Sequence, residues 1–354
     1  MRFSLVRAPR VLGFLFCLLC FLSPAGRAEL VWTKETGWRV EGGALSGLAG
    51  TEGRSALDTM NRARAAEEAG STRSAAKTYA TIARRYPNSI YAPEALYRAA
   101  RIHLARREYI KAFDSFQGVL ARYPNTQRFN EIVGEQYRIA SALLDGARPR
   151  MMFGLLPGFT KREKAIEEFE LIVGNAPYSD YAPLSLMNIA RAHQRLDNTI
   201  ESIDALDRMI NNYPQSLLAP DAYLKLAQTH ASLVDGPYYD QANTKEAITY
   251  FEDFMILFPS DSSIAAAEKG LDGMKQMLAE SKMKMGDFYF YKRDNFQAAR
   301  VFYNEAITAY PDSTIAGRAK ARLADVESKA SGKPVSPEGK APGDPVKKKR
   351  FWLF

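Results

Sequence analysis

The sequence predicts an all-α protein, an array of about six helical hairpins with insertions, and three observations carry that prediction. In the stretch Leu96–Pro124, the residues Ala112, Phe116 and Val119 lie twelve, eight and five positions before the closing proline. Spacings of four and three place a small, an aromatic and an aliphatic side chain on one stripe of a helix. An upstream helix supplies the partner stripe Leu96, Ala99, Ala100 and His103. The short side chain at Ala112 lets two antiparallel helices approach, and the ring one turn later fills the space beyond it. The same offsets recur before five other prolines. They give Ala75, Tyr79 and Ile82 before Pro87; Ala165, Phe169 and Ile172 before Pro177; and Ser202, Leu206 and Met209 before Pro214. They also give Ala247, Phe251 and Phe254 before Pro259, and Ala299, Tyr303 and Ala306 before Pro311. Finally, 46% apolar and 11% aromatic residues exclude a mainly disordered chain.

A small residue, an aromatic and a closing proline in a unit of about 34 residues resemble the tetratricopeptide repeat, whose hairpins bury their apolar faces only by stacking into a solenoid. The closing prolines are 37, 53, 37, 45 and 52 residues apart, so insertions lengthen the unit at three places, near 143–163, 234–244 and 264–285. The array is expected over 57–328, after an export signal at 1–28 and a Gly-rich lead-in at 29–56, and before a disordered basic tail at 329–354.

Residues Met1–Ala28 combine a basic start, the apolar run Val11–Leu22 and small residues at Gly26 and Ala28, which predicts export with cleavage after Ala28. A run of 12 is too short to span a bilayer as a helix. Both cysteines, Cys17 and Cys20, lie inside this segment, so the mature chain is expected to hold neither disulfides nor thiolate metal sites. Neither follows small residues, so no lipid anchor is expected. The lead-in shows no clear period and is expected to be extended or loosely packed, with its Trp32 and Trp38 packing on the first repeat.

Between units the sequence reads Tyr86-Pro87-Asn88-Ser89, Tyr123-Pro124-Asn125-Thr126, Tyr213-Pro214-Gln215-Ser216 and Tyr310-Pro311-Asp312-Ser313. Proline stops one helix, and the hydroxyl two residues on is expected to cap the next. Pro93, Pro183 and Pro220 stand near helix starts, where a missing N–H costs little. In the first insertion, Pro149, Gly154, Pro157 and Gly158 argue against helix, and Met151, Met152, Phe153, Leu155, Leu156 and Phe159 lie between basic residues. That loop either folds back on the array or presents an apolar patch to a protein partner or membrane surface. The second insertion reads as a connecting loop around Gly236-Pro237. The third, Ile264–Met285, keeps helical periodicity, so a helix is added or lengthened there.

The net charge of +8 sits at the chain ends. Arg2, Arg7, Arg10 and Arg27 have no acid beside them, and Lys329–Phe354 holds seven bases against Glu338 and Asp344. The array is nearly neutral, which removes the main support for nucleic-acid binding. Its three histidines, His103, His193 and His230, each lie ten residues after Pro93, Pro183 or Pro220. They therefore occupy one equivalent hairpin position in different units and are expected to pack there, not to gather a metal. Adjacent carboxylates such as Glu167-Glu168 diverge on a helix. With no nucleophile elbow, phosphate-binding loop or zinc motif, no enzyme activity, catalytic residue or cofactor is expected.

With an export signal before such repeats, the chain resembles the BamD-like outer-membrane assembly lipoprotein family (ComL or YfiO-like). The Tyr-Pro-x-Ser junctions Tyr86–Ser89 and Tyr213–Ser216 carry the resemblance. So does the last unit, Met285-Gly286-Asp287-Phe288-Tyr289 through Tyr310-Pro311-Asp312-Ser313. It covers about Leu57 to Val326. It implies a non-enzymatic periplasmic scaffold at the inner face of the outer membrane. Such a scaffold binds the barrel-insertion machinery and helps assemble unfolded outer-membrane proteins. The hollow side of the array and Met151–Phe159 are the expected partner-binding surfaces. The tail residues Lys347, Lys348, Lys349, Arg350, Phe351 and Trp352 either touch anionic lipid or are a solvated end. The alternative is a periplasmic adaptor in cell division or cell-wall synthesis, of the kind associated with Tol–Pal. Those adaptors carry a coiled coil before the repeats, and Glu29–Gly53 has no heptads.

Overall fold

Helices α1 (Thr51–Glu68) and α2 (Thr72–Arg85) form the first of six helical hairpins among the described residues. The structure is a computed structural model and describes residues 29–41, 51–147, 150–151, 156–157, 162–239 and 241–332. Next, α3 (Ala92–Ala105) pairs with α4 (Tyr109–Arg122), and α5 (Phe129–Leu144) with α6 (Arg162–Asn175). Then α7 (Tyr181–Arg195) pairs with α8 (Thr199–Asn212), and α9 (Ala219–Ser232) with α10 (Ala242–Leu257). Finally α11 (Ile264–Lys292) pairs with α12 (Phe296–Ala309), and α13 (Thr314–Ala330) packs on both. The chain divides into two compact units between Pro177 and Tyr178, with three hairpins in each. No described helix is long and apolar enough to cross a membrane.

The repeated stripe is what pairs the helices. Ala75, Ala112, Ala165, Ser202, Ala247 and Ala299 are all buried, and so are Tyr79, Phe116, Phe169, Leu206, Phe251 and Tyr303 one turn later. Truncating one such ring costs about 3–5 kcal/mol, and in the first repeat the stripe packs with Ala95, Ala99 and Ile102 of the next hairpin. Within hairpins, the first helix ends on a residue with positive φ: Gly70 (74°), Arg107 (56°), Asp197 (60°) and Asp294 (49°). At three of these turns the next N–H reaches back five residues, Ser71 to Ala66, Glu108 to His103 and Asn198 to His193, at 2.9 Å. That is the Schellman closure, which satisfies a carbonyl the helix leaves open.

Between hairpins the closing proline starts a tight turn. The amides of Ser89, Thr126 and Ser216 donate to the carbonyls of Tyr86, Tyr123 and Tyr213 at 3.0 Å. The hydroxyls do not all act as expected. Ser313 alone of the four caps a helix, accepting from the Ala316 N–H at 3.1 Å. Thr126 and Ser216 instead accept from Arg128 and Leu218 inside the turn, at 3.4 and 3.2 Å, and Ser89 Oγ has no hydrogen-bond partner. The reason is that α3, α5 and α9 each begin two residues later than the hydroxyls require.

The lead-in and the ends of the array differ from the sequence reading. The lead-in contains a hairpin of β1 (Glu29–Thr33) and β2 (Gly37–Glu41), paired in register Leu30↔Val40 and Trp32↔Trp38. Helix α1 starts at Thr51, before the expected Leu57, and α13 continues to Ala330. In the first insertion, β3 (Arg150–Met151) and β4 (Leu156–Pro157) make a minimal antiparallel ladder. The third insertion is one continuous helix of 29 residues. Two glycines let α11 serve two hairpins. A Cβ on Gly270 would lie 2.4 Å from the Phe251 ring of α10, and one on Gly286 would lie 2.6 Å from the Tyr303 ring of α12. The N-terminal part of α11 thus closes the fifth hairpin, and its C-terminal part belongs to the sixth.

Candidate protein-interaction surface

In the first unit, the first helices α1, α3 and α5 share one face, and the repeat orders its charges. The Tyr97 hydroxyl donates to Glu131, and Arg101 donates to Glu135 at 3.2 Å; both pairs are 34 residues apart, so equivalent positions of successive hairpins meet. Arg128 lies 3.3 Å from Glu94 and stacks 4.5 Å over the Tyr97 ring. Arg98 donates to Glu94 at 2.8 Å, and Arg64 pairs with Glu67 and Glu68 at 3.2 and 3.0 Å. Burial pushes the Glu131 carboxyl up, but the hydrogen bonds from Tyr97 and Arg128 outweigh it and hold the group below its ordinary range. Half-exposed pairs contribute about 0–1 kcal/mol each, so this lattice sets the orientation of the face more than its stability. Every carboxylate named in it is paired. The arrangement suits polar recognition, not proton transfer.

The β1–β2 hairpin lies on α1 and α3. Trp38 is buried in the core of the first repeat, with Leu30, Trp32 and Val40 packed against that core. Arg64 sits 4.2 Å over the Trp32 ring and Arg98 4.5 Å over the Trp38 ring, cation–π contacts between partly desolvated groups. Gly37, with φ of 71°, opens β2, and a Cβ there would meet Asn61 Oδ1 at 2.9 Å. The same oxygen accepts the Trp38 N–H at 2.9 Å. Beside the hairpin lies a cavity of about 450 Å³, walled by Leu30, Pro93, Tyr97, Arg128 and Glu131.

In the second unit, a buried network joins the last three helices. The Tyr303 hydroxyl donates to Asp287 at 2.8 Å, and Arg322 of α13 lies 3.7 Å from Asp287 and 3.5 Å from Asp325. Burial pushes Asp287 up despite the Tyr303 bond and the Arg322 charge, and burial beside Asp287 pushes the Tyr303 phenol well above its ordinary value. A shallow groove between α11 and α12, about 580 Å³, is walled by Leu278, Lys282, Val301, Glu305 and Ala309.

The sequence-derived site residues fall outside what the structure describes. Met152, Phe153, Leu155 and Phe159 lie outside the described residues, as do the side chains of Met151 and Leu156, whose backbones form part of the β3–β4 ladder. The tail residues Lys347–Trp352, the export segment and both cysteines also lie outside them. The histidines stand in three separate helices. His103 Nδ1 meets Glu108 at 2.6 Å, His193 Nδ1 meets Asn198 at 3.4 Å, and His230 Nδ1 meets Asn243 at 3.1 Å. Each thus ties the end of a first helix to the start of the second, and no group of residues that could hold a metal ion exists among the described residues. Glu167 and Glu168 diverge: Glu167 pairs at the surface with Lys164 at 2.6 Å, whereas Glu168 is fully buried with neither oxygen hydrogen-bonded. Burial pushes Glu168 up to about 8, with the charges of Asp114 and Glu167 adding to it and Lys164 opposing it.

Sequence reasoning placed the tryptophans on the first repeat but missed their partners. The available signal was that Arg64 and Arg98 occupy equivalent repeat positions, 34 residues apart.

Comparison with known proteins agrees with the repeat architecture. Residues 160–331 match the family described as outer membrane lipoprotein, YfiO, and residues 60–89 and 94–126 match a tetratricopeptide repeat family. The chain is similar to outer membrane protein assembly factor BamD of Rickettsia prowazekii, at 28% identity over 42% of this chain and 59% of that protein. It is similar to BamD of Caulobacter vibrioides at 28% identity, over 36% of this chain and 41% of that one. The chain therefore spans 59% and 41% of the length of these relatives. A tetratricopeptide repeat protein from Parabacteroides merdae is similar at 13% identity over 78% of this chain and all of that one, with a TM-score of 0.29.

Proposed function

We propose that this BamD-like tetratricopeptide-repeat chain, whose residues 160–331 belong to the YfiO outer-membrane lipoprotein family, is a non-enzymatic scaffold for assembling outer-membrane proteins. It works in the periplasm, at the inner face of the outer membrane, after export and cleavage at Ala28. Its partners are the barrel-insertion machinery and unfolded segments of outer-membrane proteins, held non-covalently. The observation that carries this reading is the family match across α6–α13, in a fold whose described residues are stacked helix pairs. Such arrays bind by extended surfaces and not by enclosed polar pockets. The first unit supports it with a face of paired charges and aromatic rings, a composition suited to a peptide or protein partner and to specificity over raw affinity.

In this reading the Met151–Phe159 segment adds an apolar contact, and the tail Lys347–Trp352 adds peripheral association with anionic lipid. Crosslinking in the envelope, followed by identification of the captured proteins, tests the whole. Capture of outer-membrane assembly proteins is expected, and capture of division or cell-wall proteins alone would overturn it. Deleting Arg148–Thr160 should leave helical content and melting unchanged and weaken capture; equal capture removes that segment from the binding surface.

A further inference from the structure

We propose that the outer edge of β1 is a docking edge for an extended, strand-forming segment of another polypeptide with apolar side chains at alternate positions. The sheet has two strands, so each strand has one edge outside the ladder. The two edges differ. On β2, the Trp38 N–H points away from β1 and donates to Asn61 Oδ1 of α1 at 2.9 Å, so α1 closes that edge. The same bond sets the phase of the ladder. Opposed residues in antiparallel strands alternate between pairs that exchange both hydrogen bonds and pairs that exchange none. Trp32↔Trp38 is therefore a pair that exchanges none, and so is Leu30↔Val40, two residues along. The N–H and C=O groups of Leu30 and Trp32 thus face outward from β1, four groups in a row that no described residue bonds.

The cavity lies on that side. Leu30 walls it and its cross-strand partner Val40 does not, while Pro93, Tyr97, Arg128 and Glu131 form the opposite wall. At about 450 Å³ it has room for the side chains of an added strand beside Leu30. Its apolar contacts would be Leu30, the half-exposed Ile90 and the Tyr97 ring, and the charges at its rim already neutralise each other. The hairpin shows what the helix face accepts, since Leu30, Trp32, Trp38 and Val40 all pack toward α1 and α3. A third strand would continue this alternation, with main-chain bonds supplying affinity and alternate side chains supplying selectivity. The inference rests on the scaffold reading for the source of the strand, an unfolded outer-membrane protein; the edge itself does not depend on it.

The test uses the full mature chain and a fluorescein-labelled ten-residue peptide of alternating Val, Thr and Tyr, read by anisotropy. A second peptide carries N-methyl groups on every other amide. The unmethylated peptide should bind, the methylated one should not, and amide exchange at Leu30 and Trp32 should slow in the complex. Leu30→Pro removes one outward N–H and leaves the Val31 and Thr33 ladder bonds in place. It should weaken binding by about tenfold, and Leu30→Ala by less. Absence of peptide binding, equal affinity for Leu30→Pro, or slowing of exchange in the helices only would overturn the edge while leaving envelope capture to stand or fall separately. Conversely, slowed exchange at Leu30 and Trp32 without envelope capture of assembly proteins keeps the edge and removes the scaffold reading.

Discussion

Replacing Glu168 by glutamine should change stability little at pH 5 and raise it at pH 8.5. Glu168 is fully buried on α6, neither carboxyl oxygen has a hydrogen-bond partner, and the nearby charges are Lys164, Glu167 and Asp114. Burial disfavours the anion, so the group titrates at about 8 in the folded chain against an ordinary 4.5. Between those values the folded chain keeps a proton that the unfolded chain has lost. The benefit of the protonated form is complete below pH 4.5, and it falls away as the pH rises toward about 8. The slope is about 1.4 kcal/mol per pH unit, so the ceiling across the window is about 5 kcal/mol, reduced by local relaxation and water entry. Glutamine keeps the shape and does not titrate. Urea unfolding followed by circular dichroism from pH 5 to 8.5 gives the difference between the two chains. Amide exchange in α5 and α6 locates it, since repeat arrays open locally. Parallel pH profiles for wild type and Glu168→Gln would refute the reasoning, because they would mean the carboxyl is solvated or paired.

Other changes probe packing. Gly286→Ala places a methyl 2.6 Å from the buried Tyr303 ring, which its bond to Asp287 holds in place. Overpacking of about 1–3 kcal/mol should exceed the helix-propensity gain of about 1 kcal/mol, giving a net loss in thermal unfolding. Trp38→Ala removes a buried ring stacked with Arg98 and should cost about 3 kcal/mol, seen as lost exchange protection in β1 and β2 with the distant hairpins unaffected. Arg107→Gly relieves a left-handed backbone at φ 56°. It should stabilise the second hairpin by about 0.5 kcal/mol, after the greater chain entropy of glycine is subtracted, as a raised urea midpoint.

Several features were legible because they are local. The offsets behind Ala112, Phe116 and Val119 specify a helical stripe whatever surrounds it, and all three are buried. The histidines read correctly as hairpin residues because equivalent positions in repeats have equivalent environments. The hydroxyl caps misread at Ser89, Thr126 and Ser216 depended on where the next helix starts, and one or two residues decide whether an oxygen reaches an N3 amide. The pairing of β1 with β2 was missed because its face is supplied by α1 and α3. Five-residue strands are too short to announce a period of their own, and an isolated two-stranded hairpin is marginal in water.

By itself the sequence determined which stripes are helical and how those helices pair, since helical periodicity and turn chemistry act over a few residues. Only the tertiary structure decided what those helices meet. The burial of Glu168, the contacts between positions 34 residues apart, the rings held by Arg64 and Arg98, and the open edge of β1 all depend on which faces are brought together. The physical reason is that burial and charge pairing are properties of two surfaces at once, and the period of one helix specifies only its own.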